Sequence, residues 1–158
     1  MSLKDKEKWN SKYEVDEYIT GKEPSRWLED NAGLLAKSGK ALDIAGGEGR
    51  NSVFVASKGY EVTCLDISEN GLRKAQALAQ EKNAAITTVL ADLDSNSLKE
   101  NEYDLILCFN FLERSLFSGI HKALKPGGLL FYETFTVDYL KYSSFKKEWV
   151  LEANELLK

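Results

Sequence analysis

The sequence predicts an α/β fold built on a parallel sheet, and three observations predict it. Strand-like segments at about 40–45, 60–65, 85–90, 103–109 and 128–135 alternate with helical patterns at about 50–58, 69–82 and 112–124. Two of the segments, Leu105-Ile106-Leu107-Cys108-Phe109 and Leu129-Leu130-Phe131-Tyr132, are continuously apolar, the pattern of strands covered on both faces. The nine residues Asp43 to Asn51 carry a strand end through a glycine-rich turn into a helix, the joint at which parallel sheets meet small ligands.

Each element has its own justification. Residues 4–14 form a short helix with Trp9 and Tyr13 at i, i+4, and residues 15–23 lack a period and make a loop. Pro24 suits a first helical position, and Trp27, Leu28, Leu34 and Leu35 give that helix an apolar face until Ser38-Gly39 stops it. The helix at 50–58 ends at Gly59. In the helix at 69–82, Leu72, Ala75 and Ala79 share a face; in that at 112–124, Leu112, Leu116, Ile120 and Leu124 recur every four residues. The link between 92 and 102 is polar and holds a turn. Pro126-Gly127-Gly128 stops the last helix and starts the fifth strand. Trp149-Val150-Leu151 with Glu155-Leu156-Leu157 reads as the start of another helix.

Composition narrows the function classes. At 158 residues the chain is one domain by size, able to bury roughly 70% of its unfolded surface. A net charge of −4 and a pI near 5.2 argue against a nucleic-acid surface. Lys4, Lys6, Lys8 and Lys12 alternate with Asp5 and Glu7 as a solvated helix face. No apolar run approaches the ~20 residues that span a bilayer. The start, Met1-Ser2-Leu3-Lys4-Asp5, has no apolar signal core, so a cytoplasmic location is expected. Cys64 and Cys108 lie in strands as buried free thiols.

The turn carries the chemistry. Gly47 and Gly49 lack Cβ atoms, so a ligand can lie against the backbone, and the following helix aims its free N–H groups at the same place. A dinucleotide fingerprint would need a third glycine, where this chain has Arg50-Asn51-Ser52. Asp43 adds a carboxylate that repels a pyrophosphate and attracts an ammonium group. Asp66 ends the second strand about 20 residues past the glycines, the place of a ribose partner, although it could also cap the next helix. Asp92 ends the third strand, where a carboxylate can accept from an adenine amino group. Three carboxylates around a tight turn suit a nucleoside with hydroxyls and a positively charged tail, and S-adenosylmethionine is such a molecule.

From residue 39 to 135 the chain resembles the class I S-adenosylmethionine-dependent methyltransferases, and among them the small tellurite-resistance methyltransferases. The likeness rests on Lys40-Ala41-Leu42-Asp43 through Gly49-Arg50-Asn51-Ser52, on Gly59-Tyr60-Glu61-Val62, on Ser11-Lys12-Tyr13-Glu14 and on Lys125-Pro126-Gly127-Gly128. It implies a Rossmann-like three-layer sandwich with strand order 3-2-1-4-5-7-6. This chain offers five strands, so the expected order is 3-2-1-4-5 with the last two absent. The parts would be an N-terminal helical cap (1–38), a cofactor-binding core (39–135) and a C-terminal segment (136–158).

The resemblance also implies S-adenosyl-L-methionine as cofactor, S-adenosyl-L-homocysteine as product, and no metal. Asp43 and the turn Ala45-Gly46-Gly47 would hold the methionine end, Asp66 and Ile67 the ribose, and Asp92 and Leu93 the adenine, with Asn51 also among the cofactor-binding residues. Phe109 and Asn110 would lie beside the sulfonium. Ala45 departs from the family's usual glycine. The acceptor would be a small molecule or a metalloid oxyanion, and a domain that binds the cofactor without transferring methyl is the alternative. No general base is assigned: Glu113, Arg114 and Glu133 are near enough to consider, and His121 reads as solvated. Trp9, Tyr13 and Tyr18 would form a lid. With two strands missing, strand five should show a bare edge and favour a homodimer there or through the C-terminal segment.

Overall fold

The computed structural model describes residues 3–93 and 98–157. A five-stranded, wholly parallel sheet is ordered 3-2-1-4-5, from β1 (Gly39–Ile44), β2 (Tyr60–Asp66), β3 (Ile86–Leu90), β4 (Tyr103–Phe109) and β5 (Leu124–Glu133). The helices are α1 (Leu3–Lys12), α2 (Arg26–Asp30), α3 (Arg50–Ser57), α4 (Glu69–Glu81) and α5 (Phe117–Ala123). Strand order reverses at β1, which lies between β2 and β4. The loops leaving β1 and β4 therefore part at the carboxyl end and open a crevice there.

Alternation along the strands builds two cores. Ala41, Leu105, Leu107 and Phe109 pack with Leu28 of α2 and Val55 of α3 on one face. Leu42, Ile44, Ile106 and Cys108 pack with Leu116 and with Ile120 and Ala123 of α5 on the other. The run at 105–109 is apolar at every position because each parity meets its own helical layer. In α4, Ser68 accepts from the Gly71 N–H as the N-cap, and Leu72, Ala75, Leu78 and Ala79 face inward.

Several local expectations are corrected. The helix expected at 112–124 is a 3-10 turn at Arg114–Leu116 followed by α5. Asn110 is left-handed (φ 55°), and Glu113 is extended with its carboxylate accepting from the Ser115 N–H, so helix cannot start earlier. β5 begins at Leu124 rather than 128: Tyr103 pairs with Leu124 and Leu105 with Leu129, so Pro126-Gly127-Gly128 is a bulge within the strand. Leu130 of β5 is 41% exposed, so this strand is covered less fully than its apolar run predicts. The helix after Pro24 is broken into α2 and a turn at Ala32–Leu34, because Asn31 folds its side chain back onto the Trp27 carbonyl. Pro24 itself precedes the N-cap, Ser25.

The C-terminal segment is not a new helix. Two 3-10 turns, Lys147–Trp149 and Glu155–Leu157, flank the extended and buried pair Val150-Leu151. The Leu151 N–H donates to the Phe135 carbonyl at 2.8 Å, and the Val137 N–H donates to the Leu151 carbonyl at 2.9 Å. Arg114 fixes this return: its Nη atoms donate to the carbonyls of Glu148 and Val150 at 2.9 Å, and it pairs with the Glu155 carboxylate. Once those carbonyls serve Arg114, they are not available to a regular helix. The polar link expected at 92–102 includes 94–97, which lie outside the described residues, as do Met1, Ser2 and Lys158. Among the described residues no helix is long and apolar enough to cross a membrane.

Candidate functional site

β1 carries Asp43 and β2 carries Asp66 to the same end of the sheet, and the glycine-rich turn passes between them. The Gly46 N–H donates to the Leu65 carbonyl at 3.0 Å, which stitches the turn to β2. The Gly47 N–H donates to Asp66 Oδ2 at 2.8 Å, and the Ser68 N–H donates to Asp66 Oδ1 at 2.9 Å. Asp43 Oδ2 accepts from the Ser52 hydroxyl at 2.7 Å. Glycine is required at two places by close approach: a Cβ on Gly46 would lie 2.3 Å from Cys64 Sγ, and one on Gly49 would lie 2.5 Å from Ala75 Cβ. Ala45 holds a left-handed φ of 55° without being glycine.

These residues border a cleft of about 110 Å³. Of the residues singled out in the sequence, Asp43, Ala45, Gly46, Gly47, Asn51, Asp66, Phe109 and Asn110 line it together. Trp9 and Tyr13 line it as well, stacked on each other with centroids 5.6 Å apart. Ile67 and Asp92 border a separate groove beside Leu3, Lys6 and Leu90, and Leu93 packs in the core against Leu65 and Ile106. Tyr18 lies away from the cleft, with its hydroxyl on the Lys74 carbonyl. Asn51 is already engaged, since its Oδ1 accepts from the Ser25 N–H at 2.8 Å. Glu133 accepts from the Ser25 hydroxyl at 3.2 Å, and His121 is exposed on α5.

Thr20, Glu48, Arg50 and Phe111 also line the cleft and were not singled out. For Glu48 a signal existed. Lys74 falls on the inward face of α4, three residues from Gly71 and four from Leu78, and a lysine there needs a buried acid. That acid is Glu48, at 2.8 Å, with its side chain fully buried.

Burial sets the electrostatics. It pushes the Asp43 carboxyl up to about 7, against the Ser52 hydrogen bond and with help from the nearby Asp66 charge. It raises Asp66 as well, opposed by the N–H groups of Ser68 and Gly47. The Tyr13 hydroxyl is raised by burial and then by the charges of Asp66 and Glu48, so it stays protonated. Burial also acts to raise Glu48, but the bonds from Lys74 and Thr20 outweigh it and hold this carboxyl below the usual range.

An adenosyl sulfonium group fits this donor set. Two buried carboxylates, neither hydrogen-bonded to a cationic side chain, meet the rings of Trp9, Tyr13, Phe109 and Phe111 in one cleft. Arg50 is the single basic residue among the described residues lining it, and the carboxylates and rings both favour a positive charge. A glycine turn against Asp66 leaves room for a sugar beside a carboxylate.

The comparisons agree. Residues 41–128 match the model of a family described as Methyltransferase domain. The chain is 32% identical over 140 residues to the probable S-adenosyl-L-methionine-dependent methyltransferase TehB of Haemophilus influenzae, across 73% of this chain and 48% of that protein. It is 30% identical over 116 residues to the ubiquinone biosynthesis O-methyltransferase of Pseudomonas aeruginosa, across 68% of this chain and 48% of the relative. The solved structure of TehB from Haemophilus influenzae superposes with a TM-score of 0.67 and 25% identity, over 96% of this chain and 52% of that one. This chain spans about half the length of the curated relatives it matches. With the family model covering more than half of its residues, the chain belongs to the class I S-adenosylmethionine-dependent methyltransferase family, close to its TehB-like group.

Proposed function

We propose that the protein transfers a methyl group from S-adenosyl-L-methionine to a small-molecule acceptor. One observation carries the reading: Asp43 and Asp66, both buried, flank the Ala45–Gly47 turn at the carboxyl end of a parallel sheet. In this reading Asp43 and the turn take the methionine end and Asp66 the ribose. The adenine extends from the cleft toward the separate groove that Ile67 and Asp92 border, with Leu93 acting only from the core. Phe109 and Asn110 stand beside the reactive centre, and Asn51 acts by holding the Ser25 amide.

When bound, the cofactor supplies a methyl group already activated on a sulfonium sulfur. The chain's residues therefore need to position the donor and exclude water more than they need to activate it. Trp9 and Tyr13, stacked over the cleft, serve the second purpose. The resemblance to tellurite-resistance methyltransferases and a relative named as an O-methyltransferase put metalloid oxyanions and hydroxyl-bearing small molecules in the acceptor panel. In the same reading the chain works in the cytoplasm as one unit of cap, core and C-terminal segment, and pairs with a second copy along β5 or through the C-terminal segment. The second reading is cofactor binding without transfer.

Thermal unfolding with S-adenosylmethionine, S-adenosylhomocysteine and NAD tests these readings. Ligand at a hundred times its Kd adds about 2.7 kcal/mol, a plainly measurable shift in Tm. Stabilisation by the two adenosyl compounds is expected, and stabilisation by NAD alone would overturn the proposal. Methyl transfer to tellurite, selenite or catechols separates the first reading from the second, and sedimentation as a monomer would remove the dimer.

A further inference from the structure

Between Tyr13 and Ser25 the chain has no regular secondary structure, yet it roofs one side of the cleft, where Thr20 is a lining residue. Such a segment needs an anchor, and side chains provide one. Both oxygens of Glu48 point into this segment. Oε1 accepts from the Thr20 N–H at 2.9 Å and from the Thr20 hydroxyl at 2.7 Å. Oε2 accepts from the Ile19 N–H at 3.1 Å and from Lys74 Nζ at 2.8 Å. Those four donors fill the acceptor capacity of one carboxylate.

Lys74 is engaged on every side. It donates to the Glu17 carbonyl at 2.6 Å as well as to Glu48, and its ammonium lies 5.3 Å from the Tyr18 ring. The Tyr18 hydroxyl returns a bond to the Lys74 carbonyl at 2.7 Å. Four consecutive residues, Glu17 to Thr20, are thus bound to one buried ion pair. That pair joins the cofactor turn, which holds Glu48, to α4, which holds Lys74.

We propose that Glu48 and Lys74 are positioning residues that lock the roof of the cofactor cleft, and that Glu48 takes no part in holding the ligand. The inference rests on the methyltransferase reading for the identity of the ligand but not for the lock itself. Asp43 and Asp66 differ from Glu48 in this respect. Their hydrogen bonds come from a hydroxyl and from amides, not from an ammonium or guanidinium group, so each retains a demand for positive charge. Glu48 has its cation already. An acidic residue in a ligand-binding turn would ordinarily be assigned to the ligand; here its bonds assign it to the roof.

Lys74 does not line the cleft, so Lys74→Met removes the charge without touching the ligand. The experiment uses the full chain, with amide exchange in the ligand-free state and stopped-flow dissociation of S-adenosylhomocysteine. Lys74→Met should expose the Ile19 and Thr20 amides by tenfold or more beyond any change in the β1 and β4 amides. S-adenosylhomocysteine should leave about tenfold faster, and Lys74→Arg should restore both. Equal loss of protection in roof and sheet, with dissociation unchanged, would mean that the pair only stabilises the fold and would overturn the proposal. Should Lys74→Met not fold, Glu48→Gln takes the charge from the other side of the same pair, and unchanged Ile19 and Thr20 exchange there overturns it equally. If the unaltered protein fails to bind S-adenosylhomocysteine, the cofactor reading falls and the exchange data alone decide the lock.

Discussion

Asp43 brings a carboxylate to a place that water does not reach, and its chemistry follows from that. Only 2% exposed, and hydrogen-bonded to Ser52, it holds its proton up to about pH 7. A cationic ligand needs the ionised form. Affinity for S-adenosylmethionine should therefore strengthen as pH rises from 6 to 8, with uptake of ligand releasing a proton. Isothermal titration in two buffers of different ionisation enthalpy reads that proton directly. Asp43→Asn should lose roughly 10- to 100-fold in affinity, the range of a hydrogen bond to a charged group, and should flatten the pH profile. A profile that keeps its slope in the variant would remove Asp43 from the ligand. At this scale the sequence was informative about the ends of strands, where Asp43 and Asp66 were legible from a two-residue context. It was silent on Thr20 and Phe111, whose place in the cleft depends on loops without a period.

At the scale of elements, the strongly patterned pieces were the readable ones. β1, β2 and α4 match their apolar periods to within a residue or two because each buries a face against a partner that its own sequence implies. The failures cluster after residue 110, where tertiary bonds override local preference. Leu112, Leu116, Ile120 and Leu124 have a helical spacing, but the Glu113 side chain breaks the helix by accepting from the Ser115 N–H. Val150-Leu151 looked helical and is extended, since Arg114 claims the surrounding carbonyls. That makes Arg114 testable as an organiser. Arg114→Ala should raise exchange at the Val137 and Leu151 amides while leaving β1 and β4 amides protected. Unchanged exchange at those two amides would show that the aromatic cluster of Phe135, Tyr139, Phe145 and Trp149 holds the segment without it.

At the scale of the whole molecule, two carboxylates, Asp43 and Asp66, are buried with only hydroxyl and amide groups hydrogen-bonded to them. Each has a folded-state value above its ordinary one, so the folded protein binds more protons than the unfolded chain between about pH 4 and 7. The sign follows. Stability of the ligand-free protein should fall as pH rises from 5 to 7, where Glu48, held low, has already made its contribution. Urea midpoints across that window measure the slope, and S-adenosylmethionine should reduce it by favouring the ionised acids. A ligand-free midpoint that rises over the same window would contradict the burial of both groups.

Cys64 occupies the floor directly beneath Gly46, so close that even one methyl group on that glycine would collide with the sulfur. The thiol is wholly buried, and burial raises it far from ionisation, so a reagent in solution can meet it only when the turn lifts off the sheet. The rate of its alkylation is then a clock for the opening of the binding turn, wound by the fold and slowed by whatever occupies the cleft. A small glycine in the cleft wall and a silent cysteine beneath it between them record how often this turn lifts from the sheet.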